Sequence, residues 1–320
     1  MNAILEQIQK LAIVPVVVLN NVDEAEPVAK ALCDGGLPVA EVTFRTDAAE
    51  ASIKVIAEKF PNMLVGAGTV LTTDQVDRAV NAGAKFIVSP GFNPKVVQYC
   101  IDKNIPVCPG CNNPSVMEQA IEMGLDVVKF FPAEQSGGLK AIKAMAAPYV
   151  NLKFMPTGGI NSGNINDYLA FNRIIACGGS WMVASDLVKN KEFDKIEALT
   201  REAVMTVHGF ELKHVGINCD NETEADTVAS QFDKLFGFTK KVGNSSVFAG
   251  SFVEAMKTPY LGSKGHLAIG CNNIERAIAY LSAIGTEVDM NTAKYDDKNK
   301  LKAVYLPGEI GGFAVHLVQK

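Results

Sequence analysis

The stretch VVKFFP, residues 127–132, is a short apolar run that ends at a proline and precedes a helix-like segment. It is one of eight such runs, each ending near Gly, Pro, Thr or Ser and separated from the next by an amphipathic helical pattern. The runs begin at Val14, Val39, Leu64, Lys85, Ile105, Val127, Lys153 and Arg173. Apolar strands that alternate with helices predict a parallel sheet covered on both faces, and eight repeats predict a closed (β/α)8 TIM barrel.

The alternative to a barrel is a doubly wound open sheet. Such folds usually carry GxGxxG at the first strand-to-helix turn. The fragments GAG at residues 66–68 and GGI at residues 158–160 are too short to count as that motif. The closed barrel is therefore the favoured architecture.

The pattern changes after a helix-like stretch that ends near Val207. Two similar units follow, Lys213 to about Lys257 and Gly265 to Lys320. Each opens with a histidine-containing strand, continues into an amphipathic helix and closes with short strands, which indicates an internal repeat. We therefore predict a barrel domain over residues 1–207 and an α+β domain of paired βαβββ modules over residues 211–320.

Composition excludes several classes of protein. The 320 residues are 48% hydrophobic and 20% charged, with a mean hydropathy of +0.12, so the chain can bury a large core. The net charge of −5 argues against nucleic acid as a partner. The longest early apolar run, Leu11 to Leu19, is too short for a membrane span, and no secretion signal is evident. Seven scattered cysteines are typical of buried thiols, and we expect a cytoplasmic protein.

Lys129 lies within an apolar strand pattern, which is unusual for a charged residue. Burial disfavours the ammonium form of a lysine, so a buried lysine usually has a chemical use, and imine formation is one such use. The alternative is a lysine whose stem is buried and whose amine reaches water or a carboxylate.

The segment EVTFR, residues 41–45, adds further polar groups to the predicted interior. Strand alternation places Glu41, Thr43 and Arg45 on one face. A buried carboxylate and guanidinium are costly unless they are paired or used, so a plain ion pair is the alternative reading. No histidine precedes His208, which makes Glu41 the natural proton shuttle of the first domain.

Further polar positions and glycines lie at other strand ends, where barrel enzymes carry their chemistry. Thr69 and Pro90 end two strands, and the segments TGGI (157–160) and GGSW (178–181) end the last two. Bare backbone amides followed by helix N-termini form an anion nest, which predicts a phosphorylated substrate. The alternative is that each glycine pair makes a tight turn with positive φ.

Six motifs in order resemble those of one enzyme family. They are EVTFRT (41–46), GAGTV (66–70), SPG (89–91), KFFPAE (129–134), PTGGI (156–160) and GGSW (178–181). The resemblance is to the 2-keto-3-deoxy-6-phosphogluconate (KDPG) and 4-hydroxy-2-oxoglutarate (KHG) aldolases of the Entner–Doudoroff type, over about residues 1–207.

The resemblance implies a class I aldolase in which Lys129 forms the Schiff base and Glu41 is the general acid and base. It implies substrate contacts by Arg45, Thr69, Pro90, Phe131 and Thr157 at the pyruvate part and by Gly158, Gly159, Gly179 and Ser180 at the phosphate. KDPG would give pyruvate and glyceraldehyde 3-phosphate, and KHG would give pyruvate and glyoxylate. The resemblance implies no cofactor for the aldolase and a trimer. The alternative is another phosphate-binding barrel enzyme, such as a sugar-phosphate epimerase.

One further motif of the barrel is Cys108-Pro109-Gly110-Cys111, a CxxC at the end of the fifth predicted strand. A redox or metal role requires a context that this motif lacks, so two core or loop thiols are the favoured interpretation.

The histidines of the second domain occupy matching places in its two repeats. His214 and His266 lie in the opening strands, and Glu254 and His316 lie in late strands. Pairing of the repeats brings the four together, and their donor set suits a divalent ion such as Zn, Ni, Mn or Fe. The arrangement resembles the vicinal oxygen chelate superfamily, which includes glyoxalase I, although that superfamily usually has glutamate or another residue where His316 stands. The alternative is a metal-free domain with satisfied histidines.

Overall fold

A computed structural model describes residues 1–320, and the chain divides into two compact units, Met1–Val207 and His208–Lys320. None of the helices combines the length and the hydropathy that a bilayer span requires. All seven cysteines are free thiols.

The first unit contains eight strands, all in parallel pairings. They are β1 (Ile13–Val17), β2 (Val39–Thr43), β3 (Leu64–Gly68), β4 (Ile87–Val88), β5 (Val107–Cys108), β6 (Val127–Phe130), β7 (Lys153–Pro156) and β8 (Cys177–Gly179). Six form a curled sheet in the order β5-β4-β3-β2-β1-β8, and β6 pairs with β7. Isolated bridges join Gly110 to Lys129 and Thr157 to Gly178. The predicted parallel α/β architecture is confirmed, although the eighth strand begins at Cys177 rather than at Arg173.

Helices alternate with the strands of the first unit, as predicted, and one helix precedes the first strand. They are α1 (Ala3–Leu11), α2 (Ala25–Asp34), α3 (Ala49–Lys59), α4 (Thr73–Asn81), α5 (Pro94–Asp102), α6 (Pro114–Glu122), α7 (Gly138–Ala146), α8 (Ile165–Leu169), α9 (Ser185–Lys189) and α10 (Phe193–His208). Local sequence explains several starts, because the side chains of Thr72, Asn93 and Asn113 accept hydrogen bonds from the first turns of α4, α5 and α6. Strands β1, β2 and β3 are buried at every position, as expected for a sheet covered on both faces.

The second unit is one mixed sheet of eight strands. Its elements are β9 (Glu211–Asn218), α11 (Glu222–Phe236), β10 (Lys240–Val242), β11 (Ser246–Ala249), β12 (Val253–Met256), β13 (His266–Cys271), α12 (Ile274–Ala283), β14 (Asp289–Tyr295), β15 (Leu301–Tyr305) and β16 (Ala314–Gln319). The strand order is β10-β11-β12-β9-β13-β16-β15-β14, so each half contains one βαβββ module. The antiparallel pair of β9 and β13 joins the two modules at the centre.

Each module of the second unit has a small apolar core beneath its own helix. Ala225 and Ala229 of α11 pack with Ala255 of β12, and Ala277 of α12 packs with Leu317 of β16. Since side chains alternate along a strand, the neighbours of these core positions point to the opposite face of the sheet. That opposite face carries His214, His266 and His316.

Candidate functional site

The first unit contains a buried lysine and a buried glutamate in contact. Lys129 of β6 is 5% exposed and Glu41 of β2 is 1% exposed, and Lys129 Nζ donates to Glu41 Oε1 at 3.2 Å. The backbone of Lys129 bonds to the segment after β5, which fixes its position: its N–H donates to Pro109, and its carbonyl accepts from Cys111. The second oxygen of Glu41, Oε2, is buried and has no protein partner. The pair therefore has one carboxylate oxygen left for a ligand.

Gly68 provides the space that Glu41 occupies. A Cβ at Gly68 would overlap the carboxylate of Glu41 from the neighbouring strand. Sequence reasoning did not assign Gly68 a role, although the GAG fragment that contains it was visible. Strand register pairs Gly68 with Thr43 and pairs Glu41 with Gly66, so only the packing of the Glu41 side chain reveals the role of Gly68.

Thr157 is a second buried polar group that lacks a protein partner. It is 6% exposed, and its Oγ1 forms no hydrogen bond in the protein. The glycine bridged to it, Gly178, has no room for a side chain, because a Cβ there would overlap Thr157 Oγ1. A buried hydroxyl without a partner is costly, so Thr157 is suited to hydrogen bonding with a bound molecule.

Arg45 does not lie inside the sheet, and the expectation that strand alternation carries it into the interior is wrong. Strand β2 ends at Thr43 and the chain turns there, so Arg45 is exposed. Its Nε donates to Thr69 Oγ1 at 3.3 Å. Both residues follow the carboxyl ends of adjacent strands, at the mouth of the sheet.

Phe131 and Pro90 are half-buried and follow β6 and β4. The amine Nζ of Lys129 lies 5.3 Å from the ring centroid of Phe131, so this ring is close enough to form an apolar wall of the lysine site. Pro90 lies against the segment after β5, where a Cβ on Gly110 would overlap the Pro90 carbonyl.

The two predicted glycine pairs differ in backbone conformation. Gly158 and Gly159 have φ values of 103° and 82°, a region that favours glycine, whereas Gly179 does not have positive φ. The tight-turn alternative therefore accounts for the first pair only. Residues 161–164 separate the first pair from α8, and a 3₁₀ turn follows the exposed Ser180, so neither pair directly precedes an α-helix.

Cys108 and Cys111 are buried thiols. Burial raises the pKa of Cys111 to about 12 and raises that of Cys108 as well, so both stay protonated at neutral pH. A reactive thiolate is disfavoured at both positions.

In the second unit, all four predicted metal-ligating residues meet on one face of the sheet. The Nε2 atoms of His214 and His266 are 3.2 Å apart, and each lies 3.1 Å from Glu254 Oε2. His316 joins them, since its ligand atom and those of the other two histidines all lie within 4.8 Å of one another. Both ring nitrogens of His316 are buried without a hydrogen-bond partner.

Three neighbours that sequence reasoning missed shape this cluster. Ser246 donates to Glu254 Oε1 at 2.6 Å and so orients the carboxylate. A Cβ on Gly216 would overlap the ring of His266 on the adjacent strand. Tyr305 stacks on His316, with ring centroids 4.7 Å apart.

Two side chains of the cluster, His316 and Glu254, are held in the protonation states that can bind a cation. Burial, opposed only in part by Glu254, lowers the pKa of His316 to about 3, so this imidazole is neutral at physiological pH. Burial alone would raise the pKa of Glu254, but hydrogen bonds from His214, His266 and Ser246 outweigh it and keep this pKa well below its usual range.

Comparisons with known proteins cover the first unit. The model of the family "KDPG and KHG aldolase" matches residues 4–199. The 2-dehydro-3-deoxy-phosphogluconate aldolase of Haemophilus influenzae is 51% identical over 201 residues, which are 63% of this chain and 95% of that protein. The KHG/KDPG aldolase of Escherichia coli K12 is 43% identical over 60% of this chain and 90% of its own length.

A solved structure of similar fold is the KDPG aldolase of Legionella pneumophila, with pyruvate captured as a covalent carbinolamine. It is 36% identical, has a TM-score of 0.60 and covers 62% of this chain and 97% of its own. The fold, the buried lysine and these relatives together define a class I aldolase. More narrowly, the chain belongs to the KDPG and KHG aldolase family.

Proposed function

We propose that the first unit is a closed (β/α)8 barrel that cleaves KDPG to pyruvate and glyceraldehyde 3-phosphate through a Schiff base on Lys129. The isolated bridges on both sides of the β6–β7 pair support closure of the barrel. The observation that carries the function is the buried contact between Lys129 and Glu41, with a carboxylate oxygen free of protein partners. The relatives are named for this reaction.

The chemistry follows from the two side chains. The unprotonated Lys129 amine adds to the C2 carbonyl of KDPG, and loss of water, with Glu41 moving the protons, leaves an iminium. Glu41 then accepts the C4 hydroxyl proton while the C3–C4 bond breaks, and the electron pair of that bond moves into the iminium. Glyceraldehyde 3-phosphate leaves. Protonation of the remaining enamine and addition of water release pyruvate and restore the amine.

The other site residues would position the substrate. Arg45 and Thr69, at the open strand ends, would hold the carboxylate of the pyruvate part, and Thr157 would donate its unused hydroxyl. The backbone amides around Gly158, Gly159, Gly179 and Ser180 would bind the phosphate. Gly159 and Ser180 are exposed, which leaves this region accessible. KHG is a second substrate on this proposal, with glyoxylate as the released aldehyde.

A coupled assay tests the reaction. The full chain with KDPG should release equal amounts of pyruvate, read with lactate dehydrogenase, and glyceraldehyde 3-phosphate, read with its own dehydrogenase. Glu41→Gln should lower kcat by about 10³-fold, because a positioned acid and base contributes on this order. A ketose phosphate converted to its epimer without any pyruvate would support the epimerase alternative instead.

For the second unit we propose a divalent transition-metal site of the vicinal oxygen chelate type, held by His214, Glu254, His266 and His316. Ligands about 2.1 Å from one ion lie roughly 3.0–3.4 Å apart, and the three contacts of 3.1–3.2 Å among His214, His266 and Glu254 match that spacing. Without an ion, two imidazole N–H groups donating to one carboxylate oxygen would face each other at 3.2 Å. The bound ion would supply a Lewis acid at this face of the sheet.

Metal analysis of the full chain tests this site. After chelator treatment and reloading, mass spectrometry of the native protein should find one ion per chain, and His316→Ala should lower the affinity at least tenfold. A control variant, His208→Phe, changes a histidine outside the cluster and should leave the stoichiometry at one. A metal affinity that is unchanged in His316→Ala, measured by competition with a chelator, would remove His316 from the ligand set.

We also propose a trimer, on the family resemblance. Light scattering of the purified chain should then give three times the mass of one chain.

A further inference from the structure

A small cavity lies beside the histidine cluster of the second unit. It has a volume of about 80 Å³. At the roughly 30 Å³ that one water occupies in the liquid, this space holds about three waters, which is close to the bulk of a two- or three-carbon acid. Its walls include Glu254, His266 and His316 on the cluster side and Tyr260, Lys294 and Tyr305 around them.

Lys294 gives this cavity a cationic wall. The residue is on β14, and its ammonium lies 5.9 Å from the ring centroid of Tyr260. Lys294 is exposed, and no carboxylate lies within ion-pair distance of it. A cation that no protein group neutralises, beside a site for a divalent ion, favours a negatively charged ligand.

We propose that this cavity binds a short-chain 2-oxo acid of the size of pyruvate, with its carboxylate toward Lys294. The inference rests on the metal site proposed above. A sugar-acid phosphate is far larger than a space for about three waters, and a small neutral aldehyde has no charge for Lys294 to select. Pyruvate meets both criteria, and the first unit of the same chain would release it.

Visible absorption of bound Co²⁺ tests the proposal, because this spectrum responds to a ligand that enters the coordination sphere or its surroundings. The full chain with Lys129→Ala, in which the barrel has no amine for imine formation, is loaded with Co²⁺ and titrated with pyruvate. We expect a saturable spectral change. Lys294→Met should weaken pyruvate binding about tenfold, as loss of one charge-assisted contact does. Lys298→Met, a matched exposed lysine in the same hairpin, should leave it unchanged.

Two probe molecules separate the contribution of the negative charge from that of the 2-oxo group. Methyl pyruvate lacks the negative charge and acetate lacks the 2-oxo group, so each should bind at least about tenfold more weakly than pyruvate. A cobalt spectrum that pyruvate leaves unchanged, that responds equally in Lys294→Met, or that acetate changes as readily would overturn the 2-oxo acid proposal while leaving the metal site standing. A chain that retains no cobalt, measured by mass spectrometry of the native protein, would instead overturn the metal site, and this inference with it. Near-UV circular dichroism confirms that each variant is folded, and Lys129→Arg replaces Lys129→Ala if it is not.

Discussion

Both units bury ionisable groups, but the partners of those buried groups differ between the two units. In the first unit, Lys129 and Glu41 have opposite charges and contact each other at 3.2 Å. In the second, three imidazoles and one carboxylate converge, and no lysine or arginine forms an ion pair with Glu254. The first site contains the amine and the acid that imine chemistry needs. The second site is rich in electron-pair donors, and we propose that a cation from outside the chain completes it.

The two units nevertheless use the same device to seat a functional side chain. Gly68 leaves room for the Glu41 carboxylate, and Gly216 leaves room for the His266 ring. In each case the glycine lies on the strand next to the functional residue. Variants that change one site at a time separate the two, and their expected effects on those sites decrease from Lys129 to His208.

Lys129→Ala should have the largest effect. We expect aldolase activity to fall by at least about 10⁴-fold, because the covalent step has no substitute nucleophile. Metal binding by the second unit should not change. The coupled pyruvate assay and metal analysis on the same preparation measure both, with the exposed Lys85→Ala as the control. Activity within tenfold of the wild type would mean that another group forms the imine.

Gly68→Ala should disturb the first site alone. The added methyl group would overlap the Glu41 carboxylate and displace it from Lys129, so we expect kcat to fall by about 10²-fold while the unit stays folded. Steady-state kinetics with KDPG measure the loss. An unchanged kcat would show that the position of this carboxylate does not limit the reaction.

Gly216→Ala is the matched change in the second unit. Its methyl group would push His266 away from the cluster, and displacement of one ligand should weaken metal binding roughly 10- to 100-fold. Competition with a chromophoric chelator measures the affinity. Aldolase activity should remain at the wild-type level, and a parallel loss of that activity would contradict the independence of the two sites.

His208→Phe should have the smallest effect on the two sites, because His208 belongs to neither. His208 is buried beside Phe210 and Tyr280, and burial together with Arg276 lowers its pKa to about 4. Since the unfolded chain takes up this proton below about pH 6.5 and the folded chain resists it until about pH 4, the histidine removes up to about 3 kcal/mol of stability as the pH falls through that window. Scanning calorimetry at pH 7.5 and 4.5 should show a smaller acid-induced loss for the second unit in the variant. Equal losses would contradict this assignment.

The sequence predicted most of the strands because their apolar runs are continuous and regularly spaced. It also predicted the four-residue cluster of the second unit, since a repeat places equivalent residues together once its halves pair. The prediction that Arg45 lies in the interior was wrong, because the alternation of side chains along a strand does not show where the strand ends. Ser246 and Tyr305 were missed for a related reason: their contacts depend on the register between consecutive antiparallel strands.

The glycines beneath Glu41 and His266 mark a further limit of sequence reasoning. A glycine in a strand can provide a turn, a bulge or space for a neighbour, and only the packing across the strand distinguishes these roles. Neither Gly68 nor Gly216 has positive φ, so space rather than backbone conformation requires glycine there.

The imine on Lys129 is the central claim, and its chemical capture tests that claim most directly. The full chain is incubated with pyruvate and borohydride, digested and analysed by mass spectrometry. We predict one reduced pyruvate adduct, a carboxyethyl group on the Nζ of Lys129, and none in Lys129→Arg. An unmodified Lys129 peptide, or an adduct confined to another lysine, would contradict the account.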